Sequence, residues 1–248
     1  TRLMYELHRS YGFNKFILLV PSTPIKEGTK NFIEAEYSKK HFADIYPTTT
    51  LKLEVLNAQK SKKSGRKMFP GSITEFSRGS RLEKNRINVL LMSDSMLLSK
   101  KTMDKDDYDQ TVFGAYTQPY KALEETRPII IIDEPHRFKR ENKAYQCIVD
   151  KIQPQCIIRF GATFPNMPKG NEKDYNNLVY NLGTCEAFND NLVKGVAVQT
   201  LNNVDGEDAK IKLMKVINRP KSCIFRNEQT KKNFTLNIGD HSSIAEDD

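Results

Sequence analysis

The stretch PIIIIDEPHRF, residues 128–138, sets two adjacent carboxylates, Asp133 and Glu134, directly after four isoleucines, with His136 close behind. That pairing suits nucleotide hydrolysis. An aspartate can hold Mg²⁺ through its water shell, because the ion gives up water reluctantly. A neighbouring glutamate can orient or deprotonate the attacking water. Consecutive side chains on a strand point to opposite sides, which suits two separate roles. Further along, Gly161-Ala162-Thr163 follows a second apolar run, CIIRF. Small residues there let backbone come close, and the threonine brings one hydroxyl able to sense the acidic loop. An acidic pair after a strand is common, so its meaning depends on the elements around it.

Four isoleucines without alternation fit a strand buried on both faces, as in a parallel sheet covered by helices. Such sheets keep their ligands beyond the carboxyl ends of the strands. Further strands are expected at NKFILLVPS, TLKLEVLN, INVLLMSD and CIIRFGATFPN. Helices are expected at residues 1–12, in one piece from Pro24 to Tyr46, at YKALEETR, and at ENKAYQCIVDKIQP, where Pro154 marks the end. The segment AQKSKKSGRKMFPGS reads as a basic loop and KKTMDKDDYDQTVFGAYTQP as a mobile, charged one. The fold class is therefore α/β, an open and mostly parallel sheet with helices on both faces. Residues 1–200 form this domain. Residues 201–248 form a β-rich appendage or the start of a second module, with strands at KIKLMKVIN, SCIFRN and NFTLNIG and a disordered tail, HSSIAEDD. A fourth short strand is expected at KGVAVQTL, across the boundary. Three strand ends then share one rim: Pro21-Ser22, the acidic turn, and the Gly-Ala-Thr bend.

A formal charge of +8 and a pI near 9.2 favour a polyanionic partner, with the run KSKKSGRK either a solvated loop or a contact to phosphates. The four cysteines contain no CxxC pair and read as buried, reduced thiols, which places the chain in the cytoplasm. The runs FILLV and IIII are too short to cross a bilayer, so no membrane association is expected. Phe138 and Phe164 read as core residues rather than platforms for bases.

The acidic turn and the Gly-Ala-Thr bend resemble motifs II and III of superfamily 2 helicases and translocases, and LLVPS resembles their motif Ia. Within that superfamily, IIIIDEPHRF, RFGATFPN and NLVYNLGTCEAFNDNLVKGVAVQT are similar to the Res subunit of type III restriction enzymes, over roughly residues 1–200. The resemblance implies a RecA-like domain of an ATP-driven motor on double-stranded DNA, partnered by Mod, the methyltransferase subunit that reads the site, in an enzyme that cleaves DNA. It implies Asp133 as the ligand of Mg²⁺ through water and Glu134 as the catalytic base. His136 would couple the ATP site to Gly161, Ala162 and Thr163. Pro21 and Ser22 would approach a DNA backbone through amides and hydroxyl.

One departure is large. No G-x-x-x-x-G-K-[ST] phosphate loop occurs in the 248 residues; Gly28-Thr29-Lys30 has the wrong order and spacing. The expectation is a piece of a longer motor, inactive alone in ATP hydrolysis. Two alternatives stand beside it: a helicase-like module that only binds DNA or Mod, and a superfamily 2 helicase acting on RNA.

Overall fold

The computed structural model describes residues 1–58, 68–79, 83–106, 108, 111, 112, 114–167, 172–193, 211–228 and 230–240. The basic run at 60–67, the strand expected at KGVAVQTL and the tail HSSIAEDD lie outside these residues. The chain divides into two compact units, Thr1–Val179 and Tyr180–Asp248.

The first unit is built on five parallel strands, β1 (Lys15–Val20), β2 (Thr50–Val55), β3 (Arg86–Ser93), β4 (Ile129–Asp133) and β5 (Cys156–Phe160), in the order β2-β3-β1-β4-β5. Its helices are α1 (Arg2–Tyr11), α2 (Thr23–Glu34), α3 (Glu36–Ile45), α4 (Gly71–Arg78), α5 (Asp94–Leu97), α6 (Pro119–Thr126) and α7 (Lys143–Cys147), the last continued by a π-helical turn at Ile148–Ile152. The architecture is RecA-like.

The non-alternating strands are explained by two cores. Ile129 and Ile131 pack with Phe16, Leu18, Val89 and Leu91 against Met4 and Tyr5 of α1 and Ile33 and Phe42 of α2 and α3. Ile130 and Ile132 pack with Ile17, Leu19, Leu90 and Met92 against Ile73 and Phe76 of α4, Leu123 of α6 and Ile152. Each isoleucine buried this way contributes roughly 1.5–3 kcal/mol relative to exposure. Tyr5 stacks between Phe42 and Tyr46, with ring centroids 4.9 and 4.8 Å away, which fixes α1 against α3.

Three expectations are corrected. The helix foreseen from Pro24 to Tyr46 breaks at Ala35, whose φ of −60° and ψ of 138° are extended. The described part of the charged segment 100–118 is packed rather than loose, since Met103, Tyr108 and Val112 are all buried. Of the four thiols, all free, only Cys147 is buried; Cys156 and Cys185 are exposed and Cys223 is intermediate.

β5 is an edge strand, paired with β4 alone among the described residues. A hollow of about 790 Å³ runs along its amino end, lined by Val149, Gln153, Cys156 and Ile157. It lies at the opposite end of β5 from the acidic turn.

The second unit holds α8 (Thr184–Asn189) and an antiparallel sheet of β6 (Ile211–Asn218), β7 (Lys221–Asn227) and β8 (Asn233–Asn237). Its register sets Leu213 opposite Phe225 and Phe225 opposite Phe234, an apolar row, and Lys212 opposite Arg226, a basic one. No helix among the described residues is long and apolar enough to cross a membrane.

Candidate functional site

The acidic turn begins where β4 runs out of apolar residues. Asp133 is the last residue of the strand and, unlike the four isoleucines before it, is exposed. The register pairs Ile132 with Arg159 and Asp133 with Phe160. Glu134 leaves the strand direction at once, with φ +56° and ψ +66°, the left-handed region. For a residue with a Cβ that conformation costs about 1–2 kcal/mol. Strain of this size persists only where the surroundings impose it.

The surroundings are visible. The Glu134 amide donates to the Phe160 carbonyl at 2.9 Å. Pro135 is buried and, with its φ preset, opens a 3₁₀ turn over Pro135–Arg137. Arg137 N donates to Glu134 O at 3.1 Å and Phe138 N to Pro135 O at 2.9 Å. Phe138 is fully buried and anchors the turn. Pro135 also explains Gly161: a Cβ there would lie 2.3 Å from Pro135 Cδ. The acidic turn and the Gly-Ala-Thr bend are therefore in direct contact, through a proline that only glycine lets approach.

The carboxylates remain accessible. The Glu134 and His136 side chains are 40% and 42% exposed, with Glu134 Oε2 3.2 Å from His136 Nδ1. Ala162 and Thr163 are exposed, three residues or fewer beyond the Phe160 that pairs with Asp133. On the other side of β4, Leu19 of β1 pairs with Ile132, so Pro21 and Ser22 emerge on the same rim. Ser22 caps α2 through its carbonyl, which accepts from Lys26 N at 3.0 Å, while its hydroxyl makes no cap bond. The sheet thus brings Pro21, Ser22, Asp133, Glu134, His136, Gly161, Ala162 and Thr163 to one rim.

That edge also holds residues that no pattern in the sequence marks. Lys26 is buried, with its amine 2.6 Å from Asn57 Oδ1 just past β2. Asp174 is buried between Arg140 and Arg159. A lone lysine in a helix, or one aspartate among 31 acidic residues, carries no spacing signal.

The donors suit a hydrated magnesium–nucleotide better than a protein-enclosed metal. Asp133 presents one exposed carboxylate, and Mg²⁺ is commonly held by one or two carboxylates plus phosphates and water. Among the described residues, no group of three or more His, Cys, Asp or Glu is arranged to hold a metal.

A parallel five-stranded sheet with an acidic turn locked to a Gly-Ala-Thr bend on its carboxyl rim defines a RecA-like domain of the helicase-like class. Sequence comparison narrows the class. The profile of the family described as "Type III restriction enzyme, res subunit" matches residues 1–166. The Res subunit of the type III restriction-modification enzyme StyLTI from Salmonella typhimurium is 48% identical over 207 residues, covering 80% of this chain and 21% of that protein. The EcoP15I Res subunit of Escherichia coli is 39% identical over 197 residues, and the EcoPI Res subunit of Escherichia phage P1 is 38% identical over 198; each match covers 79% of this chain and 19% of the relative. The chain belongs to the type III restriction enzyme Res subunit family. It spans about a fifth of the length of the curated relatives it matches.

Proposed function

We propose that the chain supplies the water-activating half of an ATP-hydrolysing motor that acts on double-stranded DNA in a type III restriction-modification enzyme, alongside a Mod methyltransferase subunit. The observation that carries this reading is the locked pair of turns, where Glu134 is strained into the left-handed region beside an exposed Asp133 and packed, through Pro135, on Gly161.

Mg²⁺ bound with ATP would neutralise phosphate charge there. Asp133 accepts hydrogen bonds from water held on that rim. Glu134 orients a water and takes its proton, and His136 Nδ1 holds the Glu134 carboxylate in place. Gly161 feels any displacement of that turn because Pro135 packs where its side chain would be, and Ala162 and Thr163 follow directly in the chain. Pro21 and Ser22 offer the start of α2 and a hydroxyl to a DNA phosphate, a contact that positions without reading sequence.

The phosphate-gripping half requires a glycine-rich loop that these 248 residues do not contain. Among the described residues the edge nearest Asp133 and Thr163 that has no further strand is that of β5, so a strand carrying such a loop fits there. The test is a chimaera in which this chain replaces the matching 207 residues of the Salmonella Res subunit. Hydrolysis of ATP should be stimulated by duplex DNA and not by RNA. Asp133→Ala should lower it by at least about 100-fold, the lower end expected when a catalytic group is lost. Equal stimulation by RNA would move the assignment to an RNA helicase. DNA binding with no hydrolysis would leave only the binding-module alternative.

A further inference from the structure

We infer that Asp174 is a positioning residue that ties the loop after the Gly-Ala-Thr bend to the chain leaving the acidic turn, so that the two turns shift as one body; its relevance to catalysis rests on the reading of the rim given above. The Asp174 side chain is 4% exposed. Its Oδ1 lies 2.7 Å from Arg140 Nε, and its Oδ2 lies 3.4 Å from Arg159 Nη1. The Arg140 backbone amide donates to Oδ2 at 3.3 Å. Arg159 Nη2 donates in turn to the Asp174 carbonyl. One buried carboxylate therefore holds two guanidiniums and a main-chain amide.

The two arginines belong to the two turns. Arg140 follows Phe138, the anchor of the 3₁₀ turn. Arg159 immediately precedes Phe160, whose carbonyl receives the Glu134 amide. Arg159 is itself fixed, its guanidinium 5.8 Å from the Tyr145 ring centroid and 5.3 Å from that of Phe164. Pro165 O accepts from Asp174 N at 2.8 Å, which draws the chain just past Thr163 to the same point. The contacts close a ring: Glu134 to Phe160, Arg159 to Asp174, Asp174 to Arg140, and back along the chain to the acidic turn.

The ring is stiffest at its buried centre, where the Asp174 and Arg159 side chains are 4% and 8% exposed, while the Arg140 side chain is 31% exposed and also donates to Asn176. Removing the carboxylate leaves Arg159 charged without an ion-pair partner where water is scarce, so that pair separates only at high cost. Among the described residues no other carboxylate pairs with Arg140 or Arg159. Phe164, expected to be plain core, instead serves as a face for Arg159. Asp174, Arg140 and Arg159 thus act together to set where Glu134 sits relative to Gly161.

Residue-resolved hydrogen exchange on the whole 248-residue chain tests this, comparing wild type with Asp174→Asn and Arg140→Gln. The reporters are the Glu134 and Arg137 amides, neither of which touches Asp174. Both variants should speed their exchange tenfold or more while the amides of β1 and β3 keep their rates. Native rates at Glu134 and Arg137, with faster exchange confined to residues 172–176 and Arg140, would overturn the proposal and leave Asp174 as a local loop pin. If Asp174→Asn loosens the entire sheet, Arg140→Gln, which removes one arm and leaves Asp174 paired with Arg159, decides between the same two outcomes. The readout is backbone opening, so it stands or falls separately from any hydrolysis measured in the chimaera.

Discussion

Glu134 and Gly161 owe their conformations to one another's neighbours. Pro135 packs where a side chain at position 161 would be, and Glu134 is bent to let it. Gly161→Ala should therefore destabilise the first unit by about 1–3 kcal/mol, the usual cost of forcing extra volume into a packed site. Urea unfolding measures this, and an unchanged midpoint would mean the proline has room to retreat. Residue types revealed the two turns because each carries a local signal: acid pair after apolar run, three small residues after another. They did not reveal Asp174. Its partners lie 34 and 15 residues away in the chain, and nothing about an Asp-Tyr pair in a polar stretch points to burial. Long-range pairing of ordinary charged residues is invisible to spacing.

The central strands β1, β3 and β4 were legible because burial on both faces leaves a continuous apolar run, whereas β2, at the sheet edge and half-buried, was legible from its alternation. The helices were less so. Apolar residues continue at helical spacing through Ala35, so the break between α2 and α3 left no periodic trace. α4 was missed because it opens at Gly71, just past the basic run, and has only eight residues. The segment 100–118 misled through its charge: its lysines and aspartates hide a few anchors. Met103→Ala should cost about 2–5 kcal/mol in urea unfolding, the range for a buried methionine, where a loose loop would lose almost nothing.

α6 gives a pH-dependent test of the same packing. Burial pushes the Tyr120 hydroxyl well above its ordinary value of about 10, and the hydroxyl donates to the Leu97 carbonyl. A raised folded-state value means that the folded chain keeps a proton the unfolded chain gives up. The contribution is thus fully present below pH 10 and shrinks as pH rises beyond it, at up to about 1.4 kcal/mol per pH unit. Tyr120→Phe should be less stable than wild type by about 1 kcal/mol at pH 8, from the lost hydrogen bond. That gap should close near pH 11, because only the tyrosine titrates. A gap that stays constant from pH 8 to 11 would mean that Tyr120 ionises freely in the folded state.

At the scale of the whole chain, the family match ends at residue 166, while the structure continues into a second compact unit from Tyr180. The first unit is where the parallel fold and the family profile coincide, while the relatives' matches, covering 79–80% of the chain, reach beyond it. Strand order was not legible in the sequence: that β1 sits between β3 and β4, beside the acidic turn, follows from pairing between distant segments. What sequence did carry was the parallel architecture, and with it the expectation that strand ends would share an edge. The thiols show the limit of reasoning from composition. Cys156 is exposed at the start of β5, which among the described residues pairs on one side only, and its apolar neighbours in sequence could not reveal that.

The function proposed for the rim turns on Glu134 activating water. Single-turnover hydrolysis of ATP by the Res chimaera bearing this chain, with duplex DNA present, isolates that step when wild type and Glu134→Gln are compared alongside nucleotide binding. The glutamine variant should bind nucleotide as tightly as wild type and hydrolyse it 10²–10⁴-fold more slowly, the span expected for loss of a general base. Hydrolysis by the Glu134→Gln chimaera at the wild-type rate would remove Glu134 from the chemistry.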